Sequence, residues 1–138
     1  MYESLTRHIG KISRDTAGTV ITDHSGDGTP ERPYQMPYVS YSTEVEAFVR
    51  DIYAFEKAHT HRELKLNGYQ EILGRNGIRW DIRSMTDAPA ESLDEECILA
   101  LLLGAVRADR FSAGALLRFV RNGSIERWLE RLKDLDDR

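Results

Sequence analysis

Apolar residues recur three and four apart through most of the chain, and the exceptions mark where helices stop. Tyr2, Leu5, Ile9 and Ile12 follow that spacing and predict a short amphipathic helix over the first dozen residues. Thr19-Val20-Ile21-Thr22 is β-branched throughout and reads as a strand. From Thr29 to Ser42 the chain carries Pro30, Pro33 and Pro37, which remove backbone donors and disfavour helix before them, so an extended course is expected. Tyr34, Met36, Tyr38 and Tyr41 load that stretch with apolar surface. It should drape over the helical body, with a short strand at Tyr38 to Tyr41.

Val45, Phe48, Val49, Ile52 and Tyr53 lie at i, i+3, i+4, i+7 and i+8, the stripe of a helix that Ser42 can cap. The segment from His59 to Leu66 fits a loop or a short strand. Asn67 to Leu73 predicts a short helix ended by Gly74 or Gly77. Ile78, Trp80 and Ile82 alternate with charged residues, favouring a strand while leaving a helical turn open. Ser92-Leu93-Asp94-Glu95 has the form of a capping box, and Cys97 to Val106 is apolar on nearly every face, as in a helix enclosed by neighbours. The chain should turn near Asp109. A helix carrying Phe119 and Val120 should end at Asn122-Gly123, and Ser124 can cap a last helix with Ile125, Trp128, Leu129 and Leu132 on one face.

The predicted architecture is therefore α+β and predominantly helical. Five or six helices surround a buried central helix, with a small hairpin or sheet from the N-terminal half, in one compact domain over 1–138. The expected core is Phe48, Val49, Ile52, Ile98, Leu99, Leu102, Val106, Phe119, Val120 and Leu129.

Composition narrows the setting. At 138 residues, 41% apolar and 30% charged, the chain can fold without a staple. A net charge of −4 argues against nucleic acid as a partner. One cysteine cannot make an internal disulfide and fits a reducing cytoplasm. The N-terminus lacks the apolar core of a signal peptide. The apolar run from Ile98 to Val106 is far shorter than the roughly 20 residues that span a bilayer. A cytoplasmic protein without membrane contact is expected.

Candidate chemistry is sparse. Asp23-His24-Ser25-Gly26-Asp27-Gly28 opens like a calcium loop, but Tyr34 stands where the bidentate glutamate belongs, and a turn explains the same residues. His59, His61 and Glu63 would share a face in a strand, yet the sequence supplies no clear fourth ligand. Cys97 follows Glu95 and Glu96, whose charge disfavours a thiolate, and reads as a core residue. Arg107 and Arg110 near a helix start could hold a small anion, or either could pair with Asp109. The acidic stretch from Asp87 to Glu96 could dock a basic partner, or simply complement a helix dipole. Ile125, Trp128, Leu132 and Leu135 repeat like a coiled-coil seam for only about two heptads, so self-pairing stays open.

Three phrases carry a resemblance: Gly28-Thr-Pro-Glu-Arg-Pro-Tyr-Gln-Met-Pro-Tyr-Val39, Leu101-Leu-Leu-Gly-Ala-Val-Arg-Ala-Asp-Arg-Phe111 and Trp128-Leu-Glu-Arg-Leu132. From Val20 onward the chain resembles an uncharacterised bacterial domain family of unknown function. The resemblance implies a compact domain from bacteria or their mobile elements, and no activity. No phosphate loop, nucleophile elbow, zinc helix or CxxC pair is present, and no cofactor is expected. The leading expectation is a non-catalytic protein-binding module using Tyr34, Gln35, Met36 and Tyr38. The alternatives are a phage- or plasmid-borne inhibitor of a host defence complex, and a ligand or enzymatic pocket around Arg107 and Arg110.

Overall fold

Ten consecutive buried residues, Cys97 to Val106, lie in the helix α5 (Glu95–Phe111), which neighbouring helices enclose. The computed structural model describes residues 2–21, 29–30, 38–59 and 68–137. The Asp23–Gly28 turn, Tyr34, Gln35, Met36, His61 and Glu63 lie outside the described residues, as does the His59 side chain.

The chain runs α1 (Glu3–Thr6), β1 (Gly18–Ile21), β2 (Tyr38–Tyr41), α2 (Thr43–His59), α3 (Tyr69–Arg75), α4 (Ile82–Asp87), a 3-10 turn (Ala90–Ser92), α5, α6 (Ala115–Arg121) and α7 (Ser124–Asp136). The fold is α+β and predominantly helical. Helices α2, α3, α6 and α7 all pack on α5. β1 and β2 pair antiparallel, Gly18 opposite Tyr41 and Ile21 opposite Tyr38. Two strands alone are marginal in water. Here Tyr41 and Val39 pack against the helical core, and Arg121 donates to the Gly18 carbonyl at 3.2 Å. Of the expected core, Val49 is the one residue still partly exposed.

Several predicted boundaries move, each for a polar reason. Ser92 does not cap α5. Asp94 does, accepting from the Cys97 amide at 2.9 Å. Ala90 and Leu93 are buried, Ala90–Ser92 closes a 3-10 turn and Arg131 donates to the Leu93 carbonyl, so the chain is extended at Leu93 and α5 starts only after Asp94. Ile78, Trp80 and Ile82 form no strand. The Asp81 carboxylate accepts from the Ser84 amide at 2.6 Å, and this cap starts α4 at Ile82. The first dozen residues hold one short helix followed by turns. Helix α5 continues past Asp109 to Phe111, and Gly123 stands at the N-cap of α7 in place of Ser124. Seven α-helices result among the described residues instead of five or six, the short α1 and α4 included. The seam of α7 faces inward. Ile125, Trp128 and Leu132 are buried in the chain's own core, and Leu135 packs partly against it.

The N-terminal segment is fastened by carboxylates. Arg7 donates to Asp51 from Nη2 at 2.6 Å and Nε at 3.1 Å, and Nε2 of the buried His8 lies 2.6 Å from the same oxygen. Glu126 accepts from the Gly10 amide at 2.9 Å. Partial burial pushes the Asp51 carboxyl up, but the hydrogen bonds from His8 and Arg7 and the Arg7 charge outweigh it, leaving it below the usual carboxylate range. Because the folded value is the lower one, Asp51 stabilises the fold above the ordinary carboxylate pKa near 3.9. That contribution is lost as pH falls through the depressed value. Urea titrations should show Asp51→Asn flattening the decline in stability below about pH 4. An unchanged acid limb would mean that Asp51 does not clasp the N-terminal segment.

Candidate functional site

The last two turns of α5 present side chains to two sides. On one side, Gly104 leaves room for an indole. A β-carbon there would sit 3.2 Å from Met85 Cε and 3.4 Å from Trp80 Cδ1. Trp80 settles over this gap and its Nε1 donates to the Gly104 carbonyl at 2.9 Å. Its ring then meets Tyr69 and Phe111 edge-on, with centroids 5.6 and 5.5 Å apart. Phe111 is 76% exposed despite that contact. Beside it lies an open groove of about 300 Å³, walled by Trp80 and Ile82 and floored by Met85, Ala108, Ala115 and Phe119. Phe111 thus leaves a phenyl ring in water at the rim of a mostly apolar groove that Asp81 and Ser112 also line.

On the other side, Arg107 donates through Nη2 to both oxygens of the buried Glu56 at 2.8 and 2.9 Å. Its guanidinium lies over Tyr53 and Tyr69, 5.6 and 5.9 Å from the ring centroids. Arg110 lies over the same Tyr53 ring at 5.3 Å. Asp109 pairs with neither arginine. Its Oδ1 accepts from the Tyr41 hydroxyl at 2.7 Å and from the amides of Gly114 and Leu116. Burial, with the Asp109 carboxylate behind it, pushes the Tyr41 phenol far above its ordinary pKa, so it stays a donor. This network ties β2 to the α5–α6 turn.

The predicted site residues are thus distributed. Arg107 and Arg110 meet around Tyr53, but Glu56 already matches the Arg107 charge. Tyr38 stands on β2, half exposed. The acidic stretch is partly engaged: Asp94 caps α5 and Glu96 pairs with Arg75 at 3.0 Å. Among the described residues no cluster of three or more His, Cys, Asp or Glu could hold a metal ion, and no helix is long and apolar enough to cross a membrane. Burial first, then Asp94 and Glu96, push the Cys97 thiol up to about 11. Cys97 should therefore resist an alkylating reagent at about pH 8 in the native protein and react once urea unfolds it. Rapid labelling without denaturant, read by mass, would place this thiol at the surface.

Phe111 and Trp80 escaped the sequence reading as site residues. One signal was available: Phe111 stands directly before Ser112-Ala113-Gly114, where a helical stripe runs out and a large apolar side chain has no following turn to cover it.

A family model described as a family of unknown function (DUF6508) matches residues 78–138, and over that segment the chain is similar to it. The match takes in the phrases at Leu101–Phe111 and Trp128–Leu132 but starts well after Gly28–Val39. Every residue lining the Phe111 groove falls inside it. No curated protein and no solved structure matches the chain.

Proposed function

We propose that this protein is a non-catalytic protein-interaction module whose binding face is the groove between α4, α5 and α6. The observation that carries this reading is Phe111, exposed and set edge-on to Trp80 beside an unfilled apolar groove. Aromatic anchors beside well-packed pockets supply most of the energy at protein interfaces. The reactive groups described are committed elsewhere: Cys97 is buried in the core, and the His8 ring is held against Asp51. Tyr38, with Tyr34, Gln35 and Met36 beyond the described residues, remains a second surface in this proposal, and the partner is expected inside the cell.

The test is to place a photo-reactive phenylalanine analogue at position 111 and, as a control, at the exposed Lys133 of α7. A single protein adduct formed from position 111 alone is the expected result. Phe111→Ala should weaken binding to that partner by about 2 kcal/mol, roughly thirtyfold, without moving the unfolding midpoint. Equal labelling from both positions, or full affinity in Phe111→Ala, would defeat the proposal.

A further inference from the structure

On the Tyr53 side of α5, away from the Phe111 groove, α2, α5, α6 and the end of β2 wall a second pocket of about 320 Å³. That volume is at the small end of ligand cavities. We propose that this pocket binds a small zwitterion whose carboxylate and ammonium stand at opposite ends of an aliphatic body.

The floor is apolar. Val45, Val106 and Leu116 are buried and Val49 is partly so. Val45, Val49 and Tyr53 recur four apart on α2, as Val106 and Arg110 do on α5, so each helix turns one face to the cavity. The polar lining is Tyr41, Glu46, Tyr53, Asp109 and Arg110. The Tyr41 hydroxyl is spent on Asp109 Oδ1. The charged groups keep capacity to spare. Among the described residues neither the exposed Arg110 guanidinium nor the exposed Glu46 carboxylate has a hydrogen-bond or ion-pair partner. Asp109 uses Oδ1 for all three of its bonds and leaves Oδ2 unengaged. Arg107 takes no part, being held by Glu56.

Arg110 and Glu46 do not answer each other because Tyr53 holds them apart. The Arg110 guanidinium lies 5.3 Å from the Tyr53 ring centroid. Glu46 precedes Tyr53 by two helical turns, about 10 Å along the axis at a rise of about 1.5 Å per residue. Arg50, one turn on from Glu46, does not pair with it either. The pocket therefore offers a cation at one end, carboxylates toward the other and aliphatic surface between them. A simple anion would meet Glu46 and Asp109, and a simple amine would meet Arg110. A zwitterion answers both signs, and its aliphatic body covers the floor. An α-amino acid carries both charges on one carbon and reaches only one end.

The experiment titrates ε-aminocaproate, caproate, hexylamine and leucine into the isotope-labelled full chain and follows the backbone amide resonances. ε-Aminocaproate should move the amides of Glu46, Val49, Val106 and Arg110 and bind at least about tenfold tighter than each of the other three. Arg110→Gln should reduce its affinity to that of hexylamine, and Glu46→Gln to that of caproate. Both side chains are exposed, so neither change should move the unfolding midpoint.

If ε-aminocaproate leaves these amides unmoved, the site does not exist. Equal binding of caproate or hexylamine, or full affinity in either variant, would overturn the zwitterion, because one charge would then suffice. Leucine binding more tightly than ε-aminocaproate would overturn the placement of the two charges at opposite ends.

Discussion

Trp128→Ala should lower the unfolding free energy by about 3–5 kcal/mol, the range for emptying the site of a large buried aromatic. Trp128 is completely buried on α7, and its ring packs 5.5 Å from Phe119 on α6. The void would open where these two helices rest on α5. Trp128→Phe should behave differently. The indole Nε1 is buried and has no hydrogen-bond partner among the described residues, so the tryptophan carries the cost of an unsatisfied donor. Phenylalanine removes that donor and keeps most of the ring, so its cost should stay near about 1 kcal/mol. Urea unfolding of the three proteins measures both steps. Equal losses in the two variants would show that the indole nitrogen makes a bond that matters.

Arg107→Met should cost about 3 kcal/mol, because it takes the guanidinium away from the buried Glu56 carboxylate while keeping an apolar stem. The side chains of Arg107 and Glu56 are 29% and 12% exposed, enough solvent to hold the loss at the low end of the range for buried pairs. The Tyr53 and Tyr69 rings that flank the guanidinium lose their cation as well. The pair is not an ideal one, since Arg107 Nε is buried without a partner among the described residues. Replacing both partners, in Arg107→Met/Glu56→Leu, should therefore cost less than Arg107→Met alone. A double variant less stable than the single would mean that Glu56 has a greater role in the fold than answering this arginine.

Both predictions depend on α5, and α5 is where local pattern and tertiary structure agree most closely. Ten apolar residues in succession allow few other placements. Its start was harder to read, because Ser92 and Asp94 are both good caps and both lie ahead of the same apolar run. The choice was made by Arg131, 38 residues away, which bonds the Leu93 carbonyl. Ile78 to Ile82 failed for a related reason: five residues fit either period, and the Asp81 cap and the pull of Trp80 toward Gly104 decided between them.

The site was less legible than the fold. Arg107 and Arg110 stood out as a pair of charges, but the sequence could not show that the first would find Glu56, 51 residues earlier, or that Asp109 would turn to Tyr41. Phe111 looked like one more position in a helical stripe.

Read alone, the residues of this chain settled its helical character, the central buried helix, the hairpin strands and most of the core, because those depend on the spacing of apolar side chains along a local period. Only the tertiary structure decided which helix ends are capped by which oxygen, where the guanidinium charges are answered, and that a phenyl ring is left in water beside an open groove. Such outcomes depend on contacts between residues far apart in the chain, and no local period encodes them.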